Sequence, residues 1–97
     1  MQRDLSEDKP RFDLLFPQSI PYKEQLLTRF AELMARGAKK YTERNREKAR
    51  TQEELDRFRE SALRHLLQRF NGEDDEDHAT GVMFNLMGAE YVKHLLK

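Results

Sequence analysis

The C-terminal segment constrains the fold more than any other part of this sequence. From about Asp75–Asp77 onward the residues follow a helical period, and the polar ones form one narrow strip of Glu90, Lys93, His94 and Lys97. Apolar side chains cover most of the remaining surface. A helix that is apolar nearly all round is buried on more than one side. We therefore expect it to pack against other helices of the chain on one side and against another subunit on the other.

Two further helices are predicted before this one. The first begins near Ser19 and Pro21, where proline suits an opening turn, and ends at Gly37, a residue typical of the position after a helix. The second opens on the capping box from Thr51 to Glu54 and stops at Asn71. The sequence shows no strand-like alternation and no internal repeat, so the predicted fold class is all-α, a small bundle of three main helices.

The sequence predicts one helical domain preceded by an arm. Pro10 and Pro17 favour extended backbone in the residues before them, so residues 1–18 are expected to form an extended N-terminal arm. Residues 19–97 then form a single helical domain. A chain of 97 residues is close to the size at which one core becomes marginal. We therefore expect a homo-oligomer, a dimer or a tetramer built as a dimer of dimers.

Composition excludes several classes of function. Eighteen basic and eighteen acidic residues cancel, so no overall charge attracts the chain to nucleic acid or to a membrane. Residues 39–50 hold six basic and two acidic side chains, but without stacking aromatics beyond Tyr41 they give weak support for nucleic-acid binding. There is no cysteine, no apolar run long enough to span a membrane, and no signal-peptide pattern at the N-terminus. The expected location is the cytoplasm.

The run GEDDEDH, residues 72–78, concentrates five carboxylates before a histidine. One interpretation is that Glu73 and Asp77 converge on a hard cation while residues 74–76 face water. The competing interpretation is that the carboxylates stabilise the N-terminus of the third helix. His78 and Asn85 share one stripe of that helix, either as a structural pair that satisfies its own hydrogen bonds or as part of a site at the head of the helix. His65 lies at a flank of the apolar row of the second helix.

Several motifs occur in one order along the chain: KPRFDLL (9–15), GAKKY followed by RN (37–45), ALRHLL (62–67), GED and DH within 72–78, and Asn85. Together they resemble the N-terminal domain family of phage-type dATP/dGTP diphosphohydrolases, relatives of the MazG-like all-α nucleoside triphosphate pyrophosphohydrolases. The resemblance implies hydrolysis of a purine deoxynucleoside triphosphate to the monophosphate and pyrophosphate. It also implies a Mg²⁺ or Mn²⁺ cofactor and, for a phage-encoded chain, the host cytoplasm.

The resemblance also implies roles for individual residues. Glu73 and Asp77 are the expected metal ligands, with Glu60 as a third, and these three and His65 form the expected catalytic set. The residues expected to bind or surround the substrate are Lys9, Arg11, Lys40, Arg44, Asn45, Arg64, His78 and Asn85.

Two positions depart from the family pattern and support an alternative. Lys39 stands where the family usually has glutamate, and Arg46 stands where it usually has tryptophan. Added positive charge favours retention of phosphate over release of products. The alternative function is therefore a non-catalytic phage nucleotide-binding or sponge protein on the same scaffold. A helical interaction module without a ligand is the third hypothesis, and it predicts that Glu73→Gln and Asp77→Asn leave function unchanged.

Overall fold

The computed structural model describes residues 9–97, and this part of the chain is helical without strands. Its α-helices are α1 (Leu26–Lys40), α2 (Gln52–Phe70) and α3 (His78–Leu95). Short 3-10 helices span Phe12–Leu15, Tyr22–Glu24 and Asn45–Lys48. The all-α prediction with three main helices is confirmed.

Local chemistry sets both ends of α2 and the start of α3, as predicted. Thr51 Oγ1 accepts a hydrogen bond from the Glu54 backbone N–H at 3.1 Å, and Glu54 Oε1 accepts one from the Thr51 N–H at 3.1 Å. Beyond Phe70 the chain turns through Gly72, whose φ of +79° suits glycine. Asp77 is the N-cap of α3, where its carboxylate accepts from the Thr80 backbone N–H.

The bounds of α1 differ from the prediction at both ends. Pro21 precedes the 3-10 helix Tyr22–Glu24, and α1 itself begins only after Gln25, whose backbone is extended. The buried Gln25 side chain donates hydrogen bonds to the carbonyls of Pro17 and Ile20 at 2.8 and 3.0 Å, which fold the preceding segment back onto it. At the other end α1 continues through Gly37 to Lys40, because a glycine without positive φ does not end a helix.

Helices α2 and α3 form an antiparallel hairpin in which aromatic rings of α2 lie against glycines of α3. The Phe58 ring lies at Gly88 and the His65 ring at Gly81. The buried core of the described chain contains Leu55 from α2, Ala89 and Val92 from α3, and Ala49 from the connector between α1 and α2, residues 41–51. This pairing of α2 with α3 brings His65 to the first turn of α3. His65 therefore lies beside the acidic loop formed by residues 73–77.

Part of the apolar surface remains exposed in the single chain. Leu86 and Met87 of α3 are 52% and 49% exposed. On α2 the exposed large side chains share one stripe: Leu63, Leu66, Leu67 and Phe70. One side of α3 is therefore covered within the chain, and the cover of the other side by a second subunit stays a prediction.

The predicted division into an arm and a domain falls partly outside the described residues, since residues 1–8 are not among them. Residues 9–18 are exposed, and they contain the 3-10 helix Phe12–Leu15. The boundary between residues 18 and 19 stays a prediction.

Candidate functional site

A groove of about 940 Å³ runs between the end of α1, the connector to α2, and the facing surfaces of α2 and α3. That volume is within the range of small-molecule sites. Aromatic side chains of Tyr41, Phe58 and Phe84 line part of it. Its walls also carry six cationic side chains: Arg36, Lys40, Arg44, Arg46, Lys48 and Arg64. Such a groove combines donors for anionic oxygens with flat apolar faces.

The connector is fixed to α3 by Arg46. Its guanidinium donates a hydrogen bond to the Phe84 carbonyl at 2.9 Å and lies over the Phe84 ring, 4.9 Å from the centroid. Partial burial lowers the pKa of Arg46 from its usual value, although a guanidinium stays charged at any physiological pH. Arg46 thus contacts an aromatic ring and holds the wall of the groove.

Two histidines meet where the groove reaches the acidic loop. His65 Nδ1 and His78 Nδ1 are 2.9 Å apart, and His78 Nε2 is 2.8 Å from Asp75 Oδ1. An ionised carboxylate only accepts, so His78 donates through Nε2 to Asp75. In the neutral imidazole His78 Nδ1 is then an acceptor for the N–H of His65 Nδ1. The bond to His78 also lowers the pKa of Asp75.

Both imidazoles are largely buried, unlike those of ordinary surface histidines. His78 is 1% exposed, and the His65 side chain is 12% exposed. Glu76 reaches the same point, with Oε1 4.0 Å from His65 Nδ1. His65 and Glu76 both line the groove, whereas His78 lies behind them. The cluster therefore places two ring nitrogens and one carboxylate at the end of a cationic groove.

The three predicted metal carboxylates do not meet at one point. Arg29 donates to both oxygens of Asp77 at 2.9 and 3.3 Å. Partial burial raises the pKa of Asp77, but its hydrogen bonds outweigh this and the pKa lies below the usual value. Glu73 accepts from the side-chain amides of Gln68 and Asn71, both at 3.1 Å. Glu60 is exposed on α2.

The ligand oxygens of one magnesium ion must lie close together, and the set of Glu60, Glu73 and Asp77 is not among the clusters of described residues that satisfy this. Among the described residues, the sets of three or more side chains whose ligand atoms lie within 4.8 Å of one another are His65, Glu76 and His78, and Glu73, Asp75 and His78. The assignment of Glu60, Glu73 and Asp77 as metal ligands stays a prediction.

The predicted substrate residues fall into two groups. Arg11 lies outside the groove and pairs with Asp13 at 2.8 Å, and Lys9 is also not part of its lining. Asn85 lines the groove while its side-chain amide donates to the Gly81 carbonyl at 2.8 Å. The groove also contains the remaining predicted residues: Lys40 at the end of α1, Arg44 and Asn45 of the connector, and Arg64 of α2.

Sequence reasoning missed Asp75 and Glu76, which were expected to face water. Both are largely exposed, yet each carries an oxygen toward a histidine. One signal was available: Asp77 directly precedes the helical residues, and aspartate is among the preferred N-cap residues. Had Asp77 been assigned to capping, the other carboxylates of the run would have been the candidates for the site.

No helix in the described part of the chain has the length and apolar character needed to cross a membrane. No curated protein and no solved structure matches the chain. The sequence does match one protein family, described as dATP/dGTP diphosphohydrolase, N-terminal, over residues 2–94. That match covers nearly the whole chain, so this protein belongs to the dATP/dGTP diphosphohydrolase N-terminal domain family.

Proposed function

We propose that this chain hydrolyses a purine deoxynucleoside triphosphate, dATP or dGTP, to the monophosphate and pyrophosphate, with the groove as its substrate site. The observation that carries the proposal is that one groove joins cationic side chains to aromatic faces. Lys40, Arg44 and Arg64 are suited to phosphate oxygens, since charge-assisted hydrogen bonds are the strong ones. The exposed ring of Tyr41 offers a face for a base. The family name supports the same substrates.

The proposal includes Mg²⁺ or Mn²⁺ as the cofactor. Glu73 and Asp77, once released from their present partners, would hold such an ion together with Glu60, and the ion would neutralise phosphate charge and supply an activated water. The chain's own contribution is to bind and orient the nucleotide: the connector supplies cations on one side of the groove, and Arg64 of α2 supplies another. Arg46 keeps the connector in place through Phe84.

The test is hydrolysis of each dNTP with Mg²⁺ or Mn²⁺, with the released pyrophosphate and monophosphate identified. Arg64→Gln should raise KM by about tenfold. A hydrogen bond to a charged group contributes about 1.5–3 kcal/mol, and the exposure of this side chain places its contribution at the lower end of that range. Arg59→Gln is the matched control, an exposed α2 arginine outside the groove. Absence of pyrophosphate at high enzyme concentration would refute turnover. A nucleotide-induced thermal shift without metal, with the ligand recovered intact, would instead favour the binding protein suggested by Lys39 and Arg46.

We also propose that the chain is a homo-oligomer. The exposed apolar stripe on α2 and the half-exposed Leu86 and Met87 of α3 support it, because contiguous apolar surface on a small domain usually marks an interface. Light scattering at micromolar concentration should give a dimer or tetramer mass. Phe70→Glu, on a side chain that is 80% exposed, should shift the mass toward the monomer. A monomer mass for the unaltered chain would refute the proposal.

A further inference from the structure

We propose that His65, His78 and Glu76 form a binding site for a divalent transition metal of the class that prefers imidazole, Zn²⁺, Co²⁺ or Ni²⁺. The ligand atoms are Nδ1 of each histidine and a carboxylate oxygen of Glu76, with Asp75 as the hydrogen-bond partner of His78. This site is distinct from the Mg²⁺ or Mn²⁺ site of the proposed hydrolysis. Metal binding to it does not require turnover.

The distances support an ion at this point. Zinc bonds to nitrogen and oxygen are about 2.0–2.1 Å, so tetrahedral ligand atoms lie roughly 3.3 Å apart. The two Nδ1 atoms are 2.9 Å apart, and Glu76 Oε1 is 4.0 Å from His65 Nδ1. The imidazoles need to separate by about 0.4 Å and the carboxylate to approach by about 0.7 Å to reach that spacing. Glu76 is exposed, so rotation of its side chain is enough.

The tautomer of His78 is already that of a metal ligand. A ligating histidine almost always donates its other ring N–H to a carboxylate or carbonyl, which fixes the ring and raises the basicity of the ligating nitrogen. His78 donates from Nε2 to Asp75 at 2.8 Å, so its Nδ1 lone pair points to His65. When Nδ1 of His78 binds an ion, the hydrogen bond to Asp75 stays intact, and the proton on Nδ1 of His65 moves to Nε2 of that ring.

Charge also favours a cation here. The dipole of α3 disfavours a cation beside His78, the first residue of this helix, but the carboxylates that precede it act in the opposite direction. The preceding residues 73–77 are all carboxylates, and Arg29 pairs with only the last of them, Asp77. A doubly charged ion would reduce the repulsion among the rest. Two imidazoles with a carboxylate suit zinc-class ions, whereas magnesium prefers oxygen ligands and water.

The second cluster, Glu73, Asp75 and His78, is the competing location. An ion there would use His78 Nε2 and would displace the hydrogen bond to Asp75. The contact between the two Nδ1 atoms would then remain a hydrogen bond. The two locations make different predictions for which nitrogen of His78 is bound and which glutamate matters, and these predictions decide between them.

The test uses the full chain without an affinity tag, freed of metal, and titrates it with Zn²⁺, Co²⁺ and Mg²⁺ in calorimetry. We expect Zn²⁺ to bind one ion per chain and at least about 100-fold more tightly than Mg²⁺. Co²⁺ should give visible absorption bands typical of mixed nitrogen and oxygen coordination. Histidine ¹⁵N spectra should show Nδ1 of His65 and His78 shifted by Zn²⁺, with the exposed His94 unchanged as the internal reference.

Variants separate this site from a general attraction to the acidic loop. Glu76→Gln and Asp75→Asn should each weaken Zn²⁺ binding by roughly 10- to 100-fold. Both positions are exposed, so both variants should fold. The matched controls Asp74→Asn and Glu73→Gln should stay within about twofold, since neither residue is part of the proposed set. Equal losses in Asp74→Asn and Glu76→Gln, or a loss in Glu73→Gln alone, would overturn the proposal. So would a shift at His78 Nε2, or Zn²⁺ affinity no higher than that for Mg²⁺.

These outcomes are independent of the proposed hydrolysis. Failure of dNTP turnover with intact Zn²⁺ binding would refute the activity and leave the metal site standing. Turnover with Mg²⁺ in a chain that does not bind Zn²⁺ would do the reverse.

Discussion

The packing of α2 on α3 depends on the absence of a side chain at Gly88. A Cβ atom there would lie 2.6, 2.7 and 2.9 Å from three carbon atoms of the Phe58 ring, whereas ordinary contacts are 3.4–4 Å. Phe58 packs against the buried core and, edge-on, against Phe84 at a centroid distance of 6.4 Å. Gly88→Ala therefore requires the ring to move or the two helices to separate. We predict that it destabilises the protein.

The magnitude follows from two opposed contributions. Adding a methyl group to a packed core costs about 1–3 kcal/mol. Replacing glycine by alanine within a helix contributes about 0.5–1 kcal/mol in the other direction. The expected net effect is a loss of about 0–2.5 kcal/mol in the free energy of unfolding, with a midpoint of about 1 kcal/mol. Gly37→Ala in α1 is the matched control, because its Cβ would meet nothing within 4 Å. It should raise the unfolding free energy by about 0.5–1 kcal/mol.

The assay is urea unfolding of both variants at one protein concentration, since association with other copies affects apparent stability. Phe58→Leu combined with Gly88→Ala provides a rescue test, because the smaller side chain should remove the contact and make the pair non-additive. If Gly88→Ala stabilises the chain as much as Gly37→Ala does, then α2 and α3 do not pack closely at Gly88.

Three further predictions concern the boundaries of the groove and loop. Asp77→Asn should cost less than about 1 kcal/mol in urea unfolding, since asparagine also caps helices and the Arg29 pair is more than one-third exposed; a loss above about 2 kcal/mol would contradict this. Hydrogen bonds from the two backbone N–H groups before α2 hold the pKa of Glu54 below its usual 4.5, so its contribution is present above pH 4.5 and is lost as the pH falls further. In that acidic range the unfolding free energy of Glu54→Gln should fall less steeply with pH than that of the unaltered protein. Equal slopes for the two proteins would contradict this. Arg46→Gln should lower the thermal midpoint by removing the Phe84 contacts, which contribute about 1–2 kcal/mol; an unchanged midpoint would show that the connector is held elsewhere.

The sequence predicted those boundaries that depend on neighbouring residues. Thr51 with Glu54 determines the start of α2, and Asp77 determines the start of α3, each through groups within three positions. The start of α1 depends instead on Gln25, whose amide bonds carbonyls five and eight residues earlier. Periodicity carries no information about a side chain that folds a loop back on itself, so the predicted start was too early.

The general location of the site was predictable from the sequence, but the contacts between its side chains were not. Basic residues of the connector and the histidine of α2 were expected near a substrate, and Lys40, Arg44 and His65 do line one groove. The partners of the acidic loop were not predictable, because Arg29 is 48 residues from Asp77 along the chain. The meeting of His65 with His78 likewise depends on the close packing of α2 against Gly81.

The magnesium site and the zinc-class site assigned to this loop differ in the contacts that the protein must break to form them. For Asp77 to join Glu73 on a magnesium ion, it must release Arg29 and the cap of α3, and loss of a cap alone costs about 1 kcal/mol. Glu73 would also leave two amide donors. For the zinc-class site, the imidazoles separate by about 0.4 Å, the proton on Nδ1 of His65 moves to Nε2, and Glu76 rotates toward the two nitrogens. The run of carboxylates thus has members with separate tasks: Asp77 begins α3 and binds α1 through Arg29, Asp75 orients His78, and Glu76 is the one free to complete a site.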